Sequence, residues 1–402
     1  MLCKKTLMSC AVLGALAVMT GNAAASGFAL IEQNASGLGN AYAGGAAIAE
    51  DASTVFFNPA GMSRIKGKQV VVAGHLINAS AKFTGTGGAG TNMGGDAGGT
   101  AFVPNAYFVM EVQPDLNFGV GVNAPFGLQT QYDPAWVGQH QAIKSSITTI
   151  NVNPSLSYQV NEALSIGGGL NYQHIKGELS ENRGGALGTA VVQGSDTAWG
   201  YNLGALYNVD ANTRLGMAYR SAMTYKLTGT VTTALPFANG PVSLDVKLPD
   251  SFSLSAFHRY NDKWDVMADA TLTGWSSFKQ VKVLDANGAA ISNTPENWKN
   301  TVRVALGVTH HYNEQWAARG GLAYDQAPVT DAFRTARIPD NDRTWLALGG
   351  QYKVSAAGAV DFGYAHLFVK SPTINATTPA PALVGTYQNS VNILSAQYSY
   401  SF

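Results

Sequence analysis

The chain reads as an all-β membrane protein, a 14-stranded antiparallel transmembrane β-barrel with a small N-terminal plug in its lumen. Three observations predict this class. Only 12% of its 402 residues are charged, with a net charge of +0, about half the charged share of a soluble domain. Short polar turns recur about every fifty residues. Between them, apolar and polar residues alternate, as in strands with one oily and one wet face.

The turns are Gln113-Pro114-Asp115, Asn161-Glu162-Ala163, Asp210-Ala211-Asn212, Asn261-Asp262-Lys263, Asn313-Glu314-Gln315 and Ser355-Ala356-Ala357. Their spacing holds two tilted strands of roughly ten residues or more plus one longer loop. Six such turns, with one free strand at each end, give fourteen strands, an even number as bacterial barrels require. Alternation is plain where Ile150, Val152, Pro154, Leu156, Tyr158 and Val160 interleave with Asn151, Asn153, Ser155, Ser157 and Gln159. It recurs around Arg303 (Val302, Val304, Leu306, Val308) and around Asp265 and Asp269. A soluble sandwich shares this period. Aromatic residues near the turns (Tyr158, Tyr207, Tyr260, Trp264, Tyr312, Trp316) favour a membrane instead, because Trp and Tyr gather at bilayer interfaces.

Residues 1–25 have the form of an export signal: Lys4 and Lys5, an apolar run from Leu7 to Met19, and the small residues Ala23-Ala24-Ala25. The apolar run is shorter than the roughly 20 residues a helical span needs. Cys3 and Cys10 both lie within it, so residues 26–402 hold no disulfide, thiolate site or cysteine nucleophile. Without Lys4 and Lys5 the chain keeps 23 basic and 25 acidic residues, a balance that offers nothing to nucleic acid. Residues 68–402 are assigned to the barrel, ending on the alternating Tyr398-Ser399-Tyr400-Ser401-Phe402. A terminal aromatic strand of this kind looks like the signal read by the barrel-assembly machinery. Outer-membrane lipids and lipopolysaccharide would surround the barrel.

Residues 26–67 are rich in Ala and Gly and lack sustained alternation; they are assigned to a plug, or hatch, filling the lumen. Within it Asn58-Pro59-Ala60 can open a helical turn, Asn58 capping and Pro59 at the first helical position. Pro125, in the segment Leu116 to Leu128, cannot donate to a strand ladder, and the neighbouring glycines tolerate a bend, so pairing should fail there or form a bulge. Arg220, Arg303, Arg319, Asp269 and Asp325 fall opposite the oily faces, as lumen charges forming an ion-pair network or receiving a carboxylate. No metal site or cofactor is expected: His310 and His311 are adjacent in a strand and point to opposite faces. Enzymatic activity is not expected either, since no Gly-x-Ser-x-Gly elbow occurs.

Several stretches together resemble one known family. Ser26-Gly27-Phe28-Ala29-Leu30, Ser36-Gly37-Leu38-Gly39-Asn40-Ala41-Tyr42-Ala43-Gly44, Ala47-Ile48-Ala49-Glu50-Asp51-Ala52 and Asn58-Pro59-Ala60 resemble the hatch of the long-chain fatty acid transporters (FadL/TodX type) of outer membranes. Leu248-Pro249-Asp250, Tyr324-Asp325-Gln326-Ala327-Pro328-Val329 and Ile338-Pro339-Asp340 through Leu346 extend the likeness over nearly the whole chain after residue 25. The resemblance implies passive uptake of fatty acids or similar hydrophobic molecules: extracellular capture, an inner apolar pocket, hatch movement, and sideways exit at a kink in the third strand. That kink maps to Gly121, Asn123, Ala124, Pro125, Phe126 and Gly127, and Phe28 to the boundary of pocket and hatch. The family's basic pocket residues do not carry over cleanly, Thr294 standing at one position and Arg183 being a register-shifted candidate for the other. The outer loop Ser180 to Gly194 is short and lacks aromatics, so Tyr132, Trp136, Leu235 and Phe237 are expected to form the capture surface. An aromatic-hydrocarbon channel on the same scaffold, and a general porin, are the alternatives.

Overall fold

A computed structural model describes residues 26–402; the export-signal reading falls on residues 1–25, outside the described residues. Among these, the first six strands are Lys68–Gly87, Gly99–Gln113, Leu116–Asn123 resuming at Gly127–Gln131, Lys144–Gln159, Leu164–Asn182 and Thr189–Asn208. The seventh to tenth are Thr213–Arg220 with Met223–Thr232, Gly240–Leu248 with Ser251–Asn261, Trp264–Thr273 with Gln280–Asp285, and Ala290–Pro295 with Thr301–His311. Trp316–Asp325, Arg343–Lys353, Gly358–Val369 and Leu383–Ser401 complete the wall. Each strand pairs antiparallel with its neighbours, and the first meets the last from Gln69↔Ser401 to Gly87↔Leu383, which closes the cylinder. Closure removes the sheet edges that lipid could not satisfy.

The wall is inverted relative to a soluble protein. On the fourth strand Leu156 is 53% exposed while Asn151 and Asn153 are 0% exposed; the oily face turns outward and the amides turn in. A soluble sandwich would bury the leucine, so this distribution decides between the two readings of the alternation.

Five of the six inner turns, all but Gln113-Pro114-Asp115, share one device. The Oδ1 of Asn161 accepts from the Ala163 and Leu164 amides at 2.9 Å, and that of Asp210 from Asn212 and Thr213 at 2.7 and 2.8 Å. Asn261 and Asn313 do the same for Lys263 and Trp264 and for Gln315 and Trp316, and Ser355 does so with its hydroxyl. A short polar side chain thus substitutes for the missing ladder partners at these five reversals, which is why Asn, Asp or Ser recurs there.

Residues 26–67 form three short helices, Ala35–Leu38, Gly45–Ile48 and Thr54–Phe57, and a 3-10 turn, Pro59–Arg64. They are almost wholly buried and pack against inward-facing residues of the wall. Glycines of the wall allow the approach: a Cβ on Gly204 would lie 1.9 Å from the Asn58 Oδ1, and one on Gly321 2.2 Å from the Asn40 carbonyl carbon. Wall arginines also satisfy carbonyls at a helix end and in the turn between helices. Arg214 donates to the Ala47 and Ile48 oxygens at 3.1 and 3.0 Å, and Arg303 to the Ala41 oxygen at 2.6 Å.

Candidate functional site

The third strand breaks at Ala124 to Phe126, between its two segments. Below the break its pairing with the second strand ends at Ala106↔Val122; above it, residues 127–131 pair only with the fourth strand, and residues 99–105 only with the first. The wall therefore lacks a ladder between strands two and three from the break outward. Backbone groups freed by Pro125 are bonded elsewhere, as buried peptide groups require. Leu30 donates to the Pro125 oxygen at 2.8 Å, Gly127 to the Phe28 oxygen at 2.9 Å and Gln33 Nε2 to the Ala124 oxygen at 3.0 Å. Thr149 Oγ1 accepts from the Phe126 amide at 3.0 Å and donates to its oxygen at 2.7 Å. Residues 28–30 thus act as a short strand laid against the break, with Ala29 opposite Phe126. Nearby, the Tyr107 ring occupies the space beside Gly121, where a Cβ would meet it at 2.9 Å, and Asn123 accepts from Asn151 at 3.1 Å.

Phe28 is fully buried in an aromatic cage: Trp275 at 4.8 Å, Phe278 and Trp298 at 5.6 Å and Phe126 at 6.0 Å between centroids. Three of these four come from interruptions of the ninth and tenth strands, where the chain turns inward (Trp275–Ser277 and residues 296–300). Sequence reading missed them, treating this region as strand and loop; a run of three aromatics within 24 positions of one another, off the alternating pattern, was the available signal. Leu128, Ile175, Met223, Tyr225 and Leu248 continue the apolar lining outward. Glu296 is buried beside the cage and accepts the Trp298 indole proton at 2.9 Å.

A cavity adjoins the cage, bounding about 1160 Å³ of empty space, part of it open to solvent. Leu30, Ile31, Phe56 and Phe57 of the N-terminal segment line one side with Phe126 and Trp275; Arg220, Ser251, Ser253, Thr271 and Arg303 line the other.

The remaining predicted positions are distributed as follows. Asn58 caps the 3-10 turn through Ala60 (3.1 Å) and ties it to Ala46 (2.7 Å) and to Ala205 of the sixth strand (3.0 Å); Pro59 opens that turn and Ala60 is buried. Arg319 pairs with Asp361 at 2.6 Å and with Glu50 of the N-terminal segment at 3.1 Å. Asp269 is held by the Ser255 and Thr271 hydroxyls at 2.6 and 3.0 Å, and Asp325 stands opposite both Arg303 and Arg343 in the register. Arg220 has no acidic ion-pair partner among the described residues; it donates to Asn171 and, at 3.0 Å, to the Phe56 oxygen.

One expectation is corrected. Tyr132 and Trp136 are not an open capture surface: they stack at 3.9 Å beneath the glycine-rich segment 88–98, Tyr132 bonded to Ala336 and Tyr387 and Trp136 to Ala142. That glycine composition permits close cover of the rings, where composition alone suggested a loose loop. Leu235 and Phe237 sit apart on another loop, Phe237 being 84% exposed, so the four do not come together. Arg183 pairs with Glu181 at 3.0 Å, and Glu181 in turn binds Arg337 at 2.5 Å.

The family model for "Outer membrane protein transport protein (OMPP1/FadL/TodX)" matches residues 16–402. The chain belongs to this family. It is 33% identical to outer membrane protein P1 of Haemophilus influenzae over 88% of each chain, and 29% identical to the long-chain fatty acid transport protein of Salmonella typhi over 92% of this chain and 94% of the relative. The crystal structure of a Pseudomonas aeruginosa FadL homologue superposes with a TM-score of 0.88 at 28% identity, covering 94% of this chain and all of that one (100%). The toluene transporter TodX of P. putida shares the fold, with a TM-score of 0.72 at 18% identity, 92% of this chain and 98% of that one being covered. As a FadL/TodX family member, the protein is an outer-membrane barrel of a Gram-negative type.

Proposed function

We propose that this protein carries long-chain fatty acids or similar hydrophobic molecules passively inward across the outer membrane, with residues 26–67 acting as the hatch. The observation that carries the reading is the junction of three features: an aromatic cage around Phe28, a wall without a ladder between strands two and three, and residues 28–30 bonded across that break. Leaving water for such a cage is favourable by about 0.8 kcal/mol per methylene, on the order of 12 kcal/mol for sixteen carbons. A water-filled pore supplies none of this, so the packed lumen argues against a general porin. A pocket this deep would also hold its ligand, so release needs a second state in which the cage is weaker. Withdrawal of residues 28–30 from the break is the candidate motion, since it dismantles the cage and frees Gly121 to Gly127 together. Lateral exit there, lipopolysaccharide around the outer aromatics, and recognition of the Phe402 strand by the assembly machinery belong to the same proposal.

Expression in a host lacking its own transporter tests the reading, with labelled oleate uptake beside toluene-dependent growth. Uptake of oleate supports the fatty-acid form and growth on toluene alone the aromatic-hydrocarbon form; large steady ion currents with neither would exclude both.

A further inference from the structure

We infer that the lumen cavity is built for an amphiphile bearing a carboxylate, and that Arg220 receives its headgroup; this rests on the uptake function proposed above and names the ligand class of its inner site. The other described lumen arginines near the N-terminal segment either lie outside the cavity or stand beside carboxylates. Arg319 holds two carboxylates, and Arg214, which spans two helix carbonyls, does not line the cavity. Arg303 does line it, with its Nε and Nη1 unpartnered, but has Asp325 opposite it and Asp269 diagonal on the neighbouring strand. Arg220 lines the cavity with Ser251 and Asn202, and no carboxylate, opposite it in the neighbouring strands. Its guanidinium lies 4.3 Å over the Phe56 ring and uses two of its five N–H donors, on Asn171 and the Phe56 oxygen. The other three have no acceptor among the described residues, and the side chain lines the cavity.

Its surroundings extend the argument. Across the register Arg220 faces Ser251, and Ser253 and Thr271 follow one row below, so hydroxyls continue the polar wall between Arg220 and the Arg303, Asp269 and Asp325 group. That group carries one cation and two anions, which repels a carboxylate from its end of the cavity and leaves Arg220 as the attractive end. Ile31, Phe57, Phe126 and Trp275 line the same cavity, an apolar surface for a tail. A neutral hydrocarbon has no use for the polar wall. Guanidinium with neighbouring hydroxyls is the chemistry that recognises a carboxylate. Arg220 also grips the Phe56 carbonyl, so a headgroup that draws on the guanidinium acts directly on a joint between wall and N-terminal segment.

The test uses the full protein in outer-membrane vesicles, with hexadecanoic acid carrying a diazirine near its tail end and the matching alcohol. Labelled peptides are mapped by mass spectrometry. The acid is expected to label the Ile31, Phe57 and Trp275 peptides about ten- to a hundred-fold more than the alcohol. Arg220→Gln should bring the acid down to the alcohol's level while labelling outside the cavity persists, and Arg220→Lys, which preserves the charge, should retain most of it. Equal labelling by acid and alcohol in the wild type, or undiminished labelling by the acid in a heat-modifiable, folded Arg220→Gln, would overturn the inference. Lumen labelling by neither probe would overturn the uptake function itself and this site with it.

Discussion

Locking residues 28–30 onto the strand-three break should stop transport, and the structure gives the size of the barrier involved. Withdrawal breaks three hydrogen bonds, from Leu30 to Pro125, Gly127 to Phe28 and Gln33 to Ala124, each worth about 1 kcal/mol net. It also uncovers Phe28, for about 2–3 kcal/mol more. The sum, on the order of 5–6 kcal/mol, corresponds to roughly one open molecule in ten thousand without ligand. A ligand that stabilises the open state by a comparable amount makes the motion productive. Ala29 and Phe126 are directly opposed antiparallel partners, a placement whose Cα separation of about 5 Å a disulfide can span. Ala29→Cys with Phe126→Cys, oxidised, should take up labelled oleate at least about tenfold more slowly than the same protein after reduction; comparison within one variant removes the effect of the lost Phe126 ring. Unchanged uptake with the disulfide verified by mass spectrometry would refute the withdrawal of residues 28–30 as the gating step.

Two other perturbations probe separate joints. Asn58→Ala loses the turn cap and the bonds to Ala46 and Ala205, about 2–3 kcal/mol of attachment; uptake should fall while surface abundance, measured by antibody, stays constant. Replacing Asn123 to Gly127 by a regular alternating strand should restore pairing with strand two and block exit, so that ligand accumulates bound in isolated outer membranes; continued release would count against the lateral route.

How much of this was legible in the chain follows from the range of each interaction. The six inner turns are local: Asn161 satisfies amides two and three residues ahead, so its position announces the reversal without reference to any other strand. The alternation of Ile150 to Val160 is local too, and only the sign of its burial had to come from the structure, with the oily face exposed and the amides enclosed. Pro125 marked the third strand's break because a missing donor is a property of one residue. The cage was not legible, because Gly274 and Pro295 mark where the ninth and tenth strands leave the ladder but say nothing of where Trp275 and Trp298 then go, and these meet Phe28 and Phe126 only through the fold. The capture surface failed for a related reason: Tyr132 and Trp136 have the composition of an exposed aromatic patch, and only the fold brings the 88–98 glycines over them. Arg220 carries the same lesson in reverse. By alternation it is indistinguishable from Arg319, both being inward-facing arginines on the wall, yet Glu50 and Asp361 reach one and no carboxylate reaches the other. Alternation assigns the face; the function of a charge on that face depends on which side chains of distant strands and of the N-terminal segment arrive beside it.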